Sequence, residues 1–289
     1  MSGGSIGLIG TGAMGVPMAR RLLDSGARVL VHSRSVKPEL RDAGAQYVGS
    51  PRELADQTDT VLVMLPDLPQ LEPMLAGPES LLAAGRDLLV MVGSTSSAVR
   101  LRELAARVDD TSEGRVALMD TPVSGGVEGA ARGTLSIMAG GTPEQAERAR
   151  RALAPCGTVH HLGPLGAGQV AKACNQMVVA ATMLALGEAT VLAERSGIAP
   201  AKLLEVLGGG YAGSTLLESK KDKLIADEYE PGGIAAYMLK DLGFASDIAE
   251  DTDTSTVLLP QVREAYRELV DAGLGDEDLA VVRKFVAQR

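Results

Sequence analysis

Lys172 stands in an apolar stretch directly after a glycine-rich turn. The chain reads Gly163-Pro164-Leu165-Gly166-Ala167-Gly168-Gln169-Val170-Ala171-Lys172-Ala173-Cys174-Asn175-Gln176 and runs on into Met177-Val178-Val179-Ala180, with no second charge before Glu188. Burying an unpaired ammonium is expensive, so such a lysine reaches water along its stem, meets an anion, or serves chemistry with a shifted pKa. Asn175 and Gln176 follow at helical spacing and share its face. A lysine and two amides on a greasy helix suggest a cleft, while a lysine snorkelling to the surface is the plainer alternative. The rest of the chain must decide between them.

A second constellation lies near the start, where Ser5-Ile6-Gly7-Leu8-Ile9 leads into Gly10-Thr11-Gly12-Ala13-Met14-Gly15. This is a GxGxxG between a predicted strand and a predicted helix. There, the first glycine permits a tight turn, the second lets backbone approach a pyrophosphate, and the third allows close helix packing, with the helix N-terminus favouring the anion. Where an NAD enzyme places Asp or Glu on the ribose 2′-hydroxyl, the next strand ends in His32-Ser33-Arg34-Ser35-Val36-Lys37. Arg34 offers a planar fork for a 2′-phosphate, with donors from Ser33, Ser35 and Lys37, so the sequence predicts NADP(H) in preference to NAD(H).

Two further strand ends belong to the same picture, Met64-Leu65-Pro66-Asp67 and Gly93-Ser94-Thr95-Ser96-Ser97. Ligands of open α/β sheets bind beyond the carboxyl ends of the strands. Ser94 and Thr95 either contact such a ligand or cap the next helix. A fourth run, Asp120-Thr121-Pro122-Val123-Ser124-Gly125-Gly126, brings two glycines into a predicted helix. Their exposed N–H groups suit a carboxylate, and Ser124 adds a hydroxyl.

The elements that must position these residues follow from periodicity. Strands are predicted at 5–9, 28–32, 60–65, 88–92, 116–119, 135–139 and 158–161, with helices at 13–24, 50–55, 97–108 and 143–154, the pattern of a parallel α/β sheet. Beyond Gly166 the strand pattern stops, and helices are predicted at 169–196, 200–207, 239–250, 259–272 and 276–287, broken at Gly208-Gly209-Gly210 and Pro231-Gly232-Gly233. The expected fold is an α/β Rossmann-type doubly wound sheet domain, 1–163, followed by an all-helical domain, 164–289, that begins with the Lys172 helix.

Composition narrows the partners. A formal charge of -9 and an aromatic content of two Phe, five Tyr and no Trp argue against nucleic acid. The start, Met1-Ser2-Gly3-Gly4-Ser5, lacks the basic and apolar regions of a signal peptide, and Cys156 and Cys174 form no CxxC, so a cytoplasmic protein is expected. The longest apolar stretch, 177–187, is shorter than the ~20 residues that cross a bilayer, so no membrane partner is expected. No metal site is expected, and the helical half is expected to form a homodimer or homotetramer.

Taken in order, the fingerprint, the 120–135 segment, the 163–176 segment and Lys240-Asp241-Leu242 resemble the β-hydroxyacid dehydrogenase family over nearly the whole chain. This 3-hydroxyisobutyrate dehydrogenase-like pattern looks most like the tartronate semialdehyde reductase branch. The resemblance implies that Lys172 is the catalytic acid/base, that Ser124, Gly125 and Gly126 hold a small anionic substrate, and that Asn175 and Gln176 orient it. It implies too that Lys240 closes the site near substrate and nicotinamide, with Gly10 to Gly15, Ser33 to Ser35, Met64 to Pro66 and Thr95 on the cofactor. The implied reaction interconverts a 3-hydroxy acid and its semialdehyde, of tartronate, succinate or 3-hydroxyisobutyrate type. Many members carry Asn-Asn where this chain has Asn175-Gln176, and Val92-Gly93 replaces a common acidic residue, which is expected to loosen that loop. An imine reductase-like enzyme, a class that generally lacks the lysine, and a non-catalytic dinucleotide-binding module are the alternatives.

Overall fold

In the first half of the chain, neighbouring residues along each apolar run are buried on opposite sides of one sheet. Val29 and Val31 join one buried cluster with Leu8, Leu62, Met91 and Met119, while Leu30 joins a second with Ile9, Val61, Val63 and Val90. Such two-sided burial is the signature of a parallel sheet covered by helices. The computed structural model describes residues 4–230 and 232–289, so the expected entry from Met1 to Gly3, and Pro231 of the later break, lie outside the described residues.

The strands are β1 (Ser5–Ile9), β2 (Arg28–His32), β3 (Gln46–Tyr47), β4 (Thr60–Val63), β5 (Leu88–Val92), β6 (Val116–Asp120), β7 (Val123–Ser124), β8 (Leu135–Gly140) and β9 (Gly157–Gly163). Their order is β3-β2-β1-β4-β5-β6-β8-β7, with β9 also on β8. The set from β3 to β6 is parallel, whereas β8 is antiparallel to β6 and β7 and parallel to β9. Order reverses between β1 and β4, which opens a crevice at their carboxyl ends. The predicted strands are all present. Sequence reading passed over β3 and β7, each too short to show alternation, and the helix Leu68–Leu75, whose pattern is interrupted by Pro69 and Pro73.

The second half is helical: Ala167–Arg195, Pro200–Gly208, Thr215–Ala226, Ala235–Asp251, Leu259–Leu269 and Val282–Ala287. Met183, Leu217, Leu224, Leu242, Tyr266 and Val282 are among its buried residues. Thr215–Ala226 was not expected; Ser214 caps it by accepting from the Leu217 N–H. The apolar stretch 177–187, expected to be too short for a bilayer, is part of a longer apolar helix that continues past Gly187 and Glu188. The helix has 29 residues, and by length and composition alone it would suffice to cross a bilayer. Gly187 instead meets a neighbouring helix, since a Cβ there would lie 3.0 Å from Val282 Cγ2. The chain divides into one compact unit ending at Lys172 and another, Ala173–Arg289. The division falls inside the long helix, nine residues after the expected boundary at 163.

Within the second unit, Asp278 organises the segment that enters the helix bearing Lys240. Its buried carboxylate accepts from Lys220 Nζ at 2.8 and 2.9 Å, from the N–H groups of Gly232 at 3.0 Å, Gly233 at 3.2 Å and Ala280 at 3.1 Å, and pairs with Lys223 at 3.3 Å. Burial alone would push this carboxyl up, but the Lys220 ammonium and the backbone donors prevail and hold it below the usual carboxylate range. Its contribution to stability is therefore complete above the unfolded value of about 3.9 and is lost as pH falls below it. Asp278→Ala, which strands two lysines, is expected to cost about 3 kcal/mol in urea unfolding at neutral pH, and a change of less than ~0.5 kcal/mol would contradict this.

Candidate active site

The three glycines of the fingerprint differ in what demands them. Gly10 has φ +97°, and a Cβ on it would lie 2.4 Å from the Met64 carbonyl oxygen; a Cβ on Gly15 would lie 2.1 Å from that of Gly10. These two are required by the fold itself. Around Gly12, no described atom lies within 4 Å of a Cβ position. Packing does not require this glycine, whereas close approach of the backbone to a pyrophosphate would. The helix Gly15–Asp24 begins without a side-chain cap or an acid in its first turn, among the described residues, and so presents its positive end. These residues fit the pyrophosphate of a dinucleotide.

Neighbouring strand ends complete this edge. After β4, the Leu65 N–H donates to Ser94 Oγ at 3.1 Å, which ties the two loops together. Ser97 caps the helix Ala98–Ser112. Ser94 and Ser97 are thus spent on structure, and Thr95 is the only one of residues 94–97 that is not buried. Nor is the loop at Gly93 loosened by the lost acid: a Cβ there would lie 2.4 Å from Met64 Sδ, so it is closely packed. Beyond β2, Arg34 is exposed and pairs with no acid among the described residues, beside a turn closed by Ser33 Oγ donating to the Ser35 carbonyl at 2.7 Å.

At the end of β6 the chain turns into the predicted carboxylate site. Ser124 still pairs with β8 opposite Ser136, and Gly125 and Gly126 have φ of +129° and +63°. No described atom lies within 4 Å of a Cβ position on Gly126, so this turn too borders open space.

Lys172 is 8% exposed, and its helix is held to the same sheet edge. Asp120, the last residue of β6, accepts from the Gly166 N–H and the Gln169 N–H, each at 2.7 Å. Burial pushes this carboxyl above its ordinary value, with the backbone donors pulling the other way. Gln169 is itself buried, donates through Nε2 to the Ser94 carbonyl at 2.8 Å and accepts from the Ser96 N–H at 3.0 Å. Sequence reading missed both residues. The signal was present in an acid ending an apolar strand and in a lone amide among small residues. Cys156 is core material, its thiol pushed up to about 12 by burial.

The second unit gathers the remaining candidates. Gln176 Nε2 donates to Asp241 Oδ2 at 2.7 Å, and Asn175 Nδ2 donates to Gln176 Oε1 at 3.0 Å. Lys240 Nζ lies 3.6 Å from Asp241 Oδ1, and 5.4 and 6.0 Å from the ring centroids of Phe244 and Tyr237. Asp241 therefore links Gln176 to Lys240.

Sheet order and fingerprint together define a dinucleotide-binding oxidoreductase. Residues 5–178 match the NAD-binding domain of 6-phosphogluconate dehydrogenase, and residues 166–286 match the NAD-binding domain of NADP-dependent 3-hydroxyisobutyrate dehydrogenase. The chain is 34% identical to the NAD-dependent L-serine dehydrogenase of Pseudomonas aeruginosa, over 96% of each chain. It is 32% identical to the mitochondrial 3-hydroxyisobutyrate dehydrogenase of Bos taurus, over 98% of this chain and 87% of that one. The structure of Mycobacterium tuberculosis 3-hydroxyisobutyrate dehydrogenase with L-serine is similar at a TM-score of 0.83 and 30% identity, covering 98% of this chain and 99% of that one. The chain belongs to the 3-hydroxyisobutyrate dehydrogenase-like β-hydroxyacid dehydrogenase family, as an NAD(P)-dependent enzyme acting on CH–OH.

The contrast among the glycines is open to experiment. Gly12→Ala should leave thermal stability unchanged while weakening dinucleotide binding by at least ~10-fold in a fluorescence titration, because the added methyl meets only ligand. Unchanged affinity would remove the pyrophosphate from this turn.

Proposed function

We propose that this enzyme is an NADPH-dependent reductase of a small 3-oxo acid semialdehyde, of the tartronate semialdehyde type, working through Lys172. The observation that carries the reading is a buried lysine whose helix is anchored at the strand edge that also bears the fingerprint and the Ser124-Gly125-Gly126 turn. Support for NADPH comes from Arg34, a guanidinium at the end of β2 where no carboxylate stands to meet a 2′-hydroxyl. The relatives' names include both NAD- and NADP-dependent enzymes.

When bound, the nicotinamide supplies or accepts the hydride. Ser124 and the N–H groups of Gly125 and Gly126 hold the substrate carboxylate, and Gln176, tied to Asp241, accepts from Asn175 and fixes that amide on the helix of Lys172. As negative charge grows on the former carbonyl oxygen, the Lys172 ammonium donates a proton to it and later regains one from solvent; in oxidation it accepts that proton. An ammonium beside this oxygen favours charge present only in the transition state.

Lys172→Ala should lower kcat by at least ~10²-fold with dinucleotide affinity nearly intact, and near-wild-type turnover would defeat the assignment. Arg34→Ala should erase most of the preference for NADPH over NADH in kcat/KM; a preference that survives, or was never there, points away from the 2′-phosphate. Reduction rates with tartronate, methylmalonate and succinate semialdehydes and glyoxylate, beside oxidation of L-serine and 3-hydroxyisobutyrate, test the substrate. Tartronate semialdehyde should lead, and a clear lead for L-serine or 3-hydroxyisobutyrate would replace it.

A further inference from the structure

We propose that Asp120 is a positioning residue for the proton transfer: its buried carboxylate, assisted by Gln169, sets the position of Lys172 relative to the substrate-binding turn. The proposal rests on the reading of Lys172 as proton donor.

Among the described residues, the side-chain caps of five other α-helices are local. Ser50, Asp67, Ser97, Thr142 and Ser214 each cap the helix that they immediately precede. The Lys172 helix instead takes donors to a carboxylate 46 and 49 positions upstream, fully buried at the end of β6. Burying a carboxylate is costly, and a hydroxyl just ahead of the helix would satisfy its N–H groups more cheaply. The backbone is also shaped around the group. A Cβ on Gly140 would lie 2.3 Å from Asp120 Oδ1, and one on Gly168 would lie 2.8 Å from Oδ2 and 2.1 Å from the Met138 carbonyl oxygen. Two glycines thus admit the carboxylate from either side.

What a remote anchor does that a local cap cannot is tie two parts of the site to one atom group. From Asp120 the chain passes in four residues to Ser124, and by its hydrogen bonds the same side chain holds the first turn of the helix. Gln169, bonded to the loop after β5, prevents rotation about that anchor. Lys172 lies one turn beyond Gln169, a rise of about 4.5 Å. A displacement of about 1 Å at a reacting group is enough to lose ~10²-fold in rate.

Asp120→Asn keeps the shape but turns an amide N–H₂ towards a backbone N–H. It should lower kcat by ~10–100-fold, leave dinucleotide affinity within ~2-fold, and displace the pH limb of kcat that Lys172 governs. The decisive comparison is the cycle of Asp120→Asn, Lys172→Ala and the double variant. If Asp120 acts through Lys172, the double variant is no slower than Lys172→Ala, within ~2-fold. Losses that multiply would overturn the positioning role, whereas a Lys172→Ala enzyme near wild-type rate would overturn the proton donor itself. Should Asp120→Asn not fold, Gln169→Met, which keeps length and removes both loop bonds, enters the same cycle with the same criteria.

Discussion

A carboxylate without water must find hydrogen-bond donors, and at the end of β6 Asp120 finds them in the first turn of the helix that carries Lys172. Most of the sheet unit's local sequence near this point follows from that demand. Gly140 and Gly168 stand back to make room, and Gln169 locks the helix to the loop after β5. Because β6 leads directly into Ser124-Gly125-Gly126, the lysine helix and that glycine turn, far apart in the chain, are tied to the same strand end. Satisfying a buried charge thereby fixes the lysine helix to the edge of the sheet.

The glycines show how to separate the demands of the fold from those of a ligand. Gly10, Gly15, Gly93 and Gly168 are each pressed by protein atoms, and any side chain would collide there. Gly12 borders open space with no left-handed φ to require it, whereas Gly126 borders open space but has φ +63°, which the backbone itself asks of a glycine. A similar sorting applies to the hydroxyls of residues 94–97, where Ser94 and Ser97 are committed to structure and Thr95 is the one not buried.

Much of this was legible beforehand because it rests on local patterns. Alternating apolar runs gave every strand longer than two residues, and the fingerprint announced its turn through glycine spacing. Long-range hydrogen bonds were invisible. Nothing near Asp120 names its partners at Gly166 and Gln169, and nothing near Asp278 names Lys220. Gln176 was read as one of two equivalent amides, since spacing cannot tell which amide is already committed to Asp241. Nor could spacing show that Gly187, inside the long helix, stands against Val282.

The proposed function turns on the ammonium of Lys172 protonating the developing alkoxide. Chemical rescue tests it most directly: the single-turnover rate of semialdehyde reduction by the Lys172→Ala enzyme, measured with increasing methylammonium. The account predicts a slow rate that rises with methylammonium while wild type stays unaffected, since a small cation can enter the space left by the side chain and supply the missing proton. A Lys172→Ala enzyme that is slow but indifferent to the added cation, or one as fast as wild type, would contradict it.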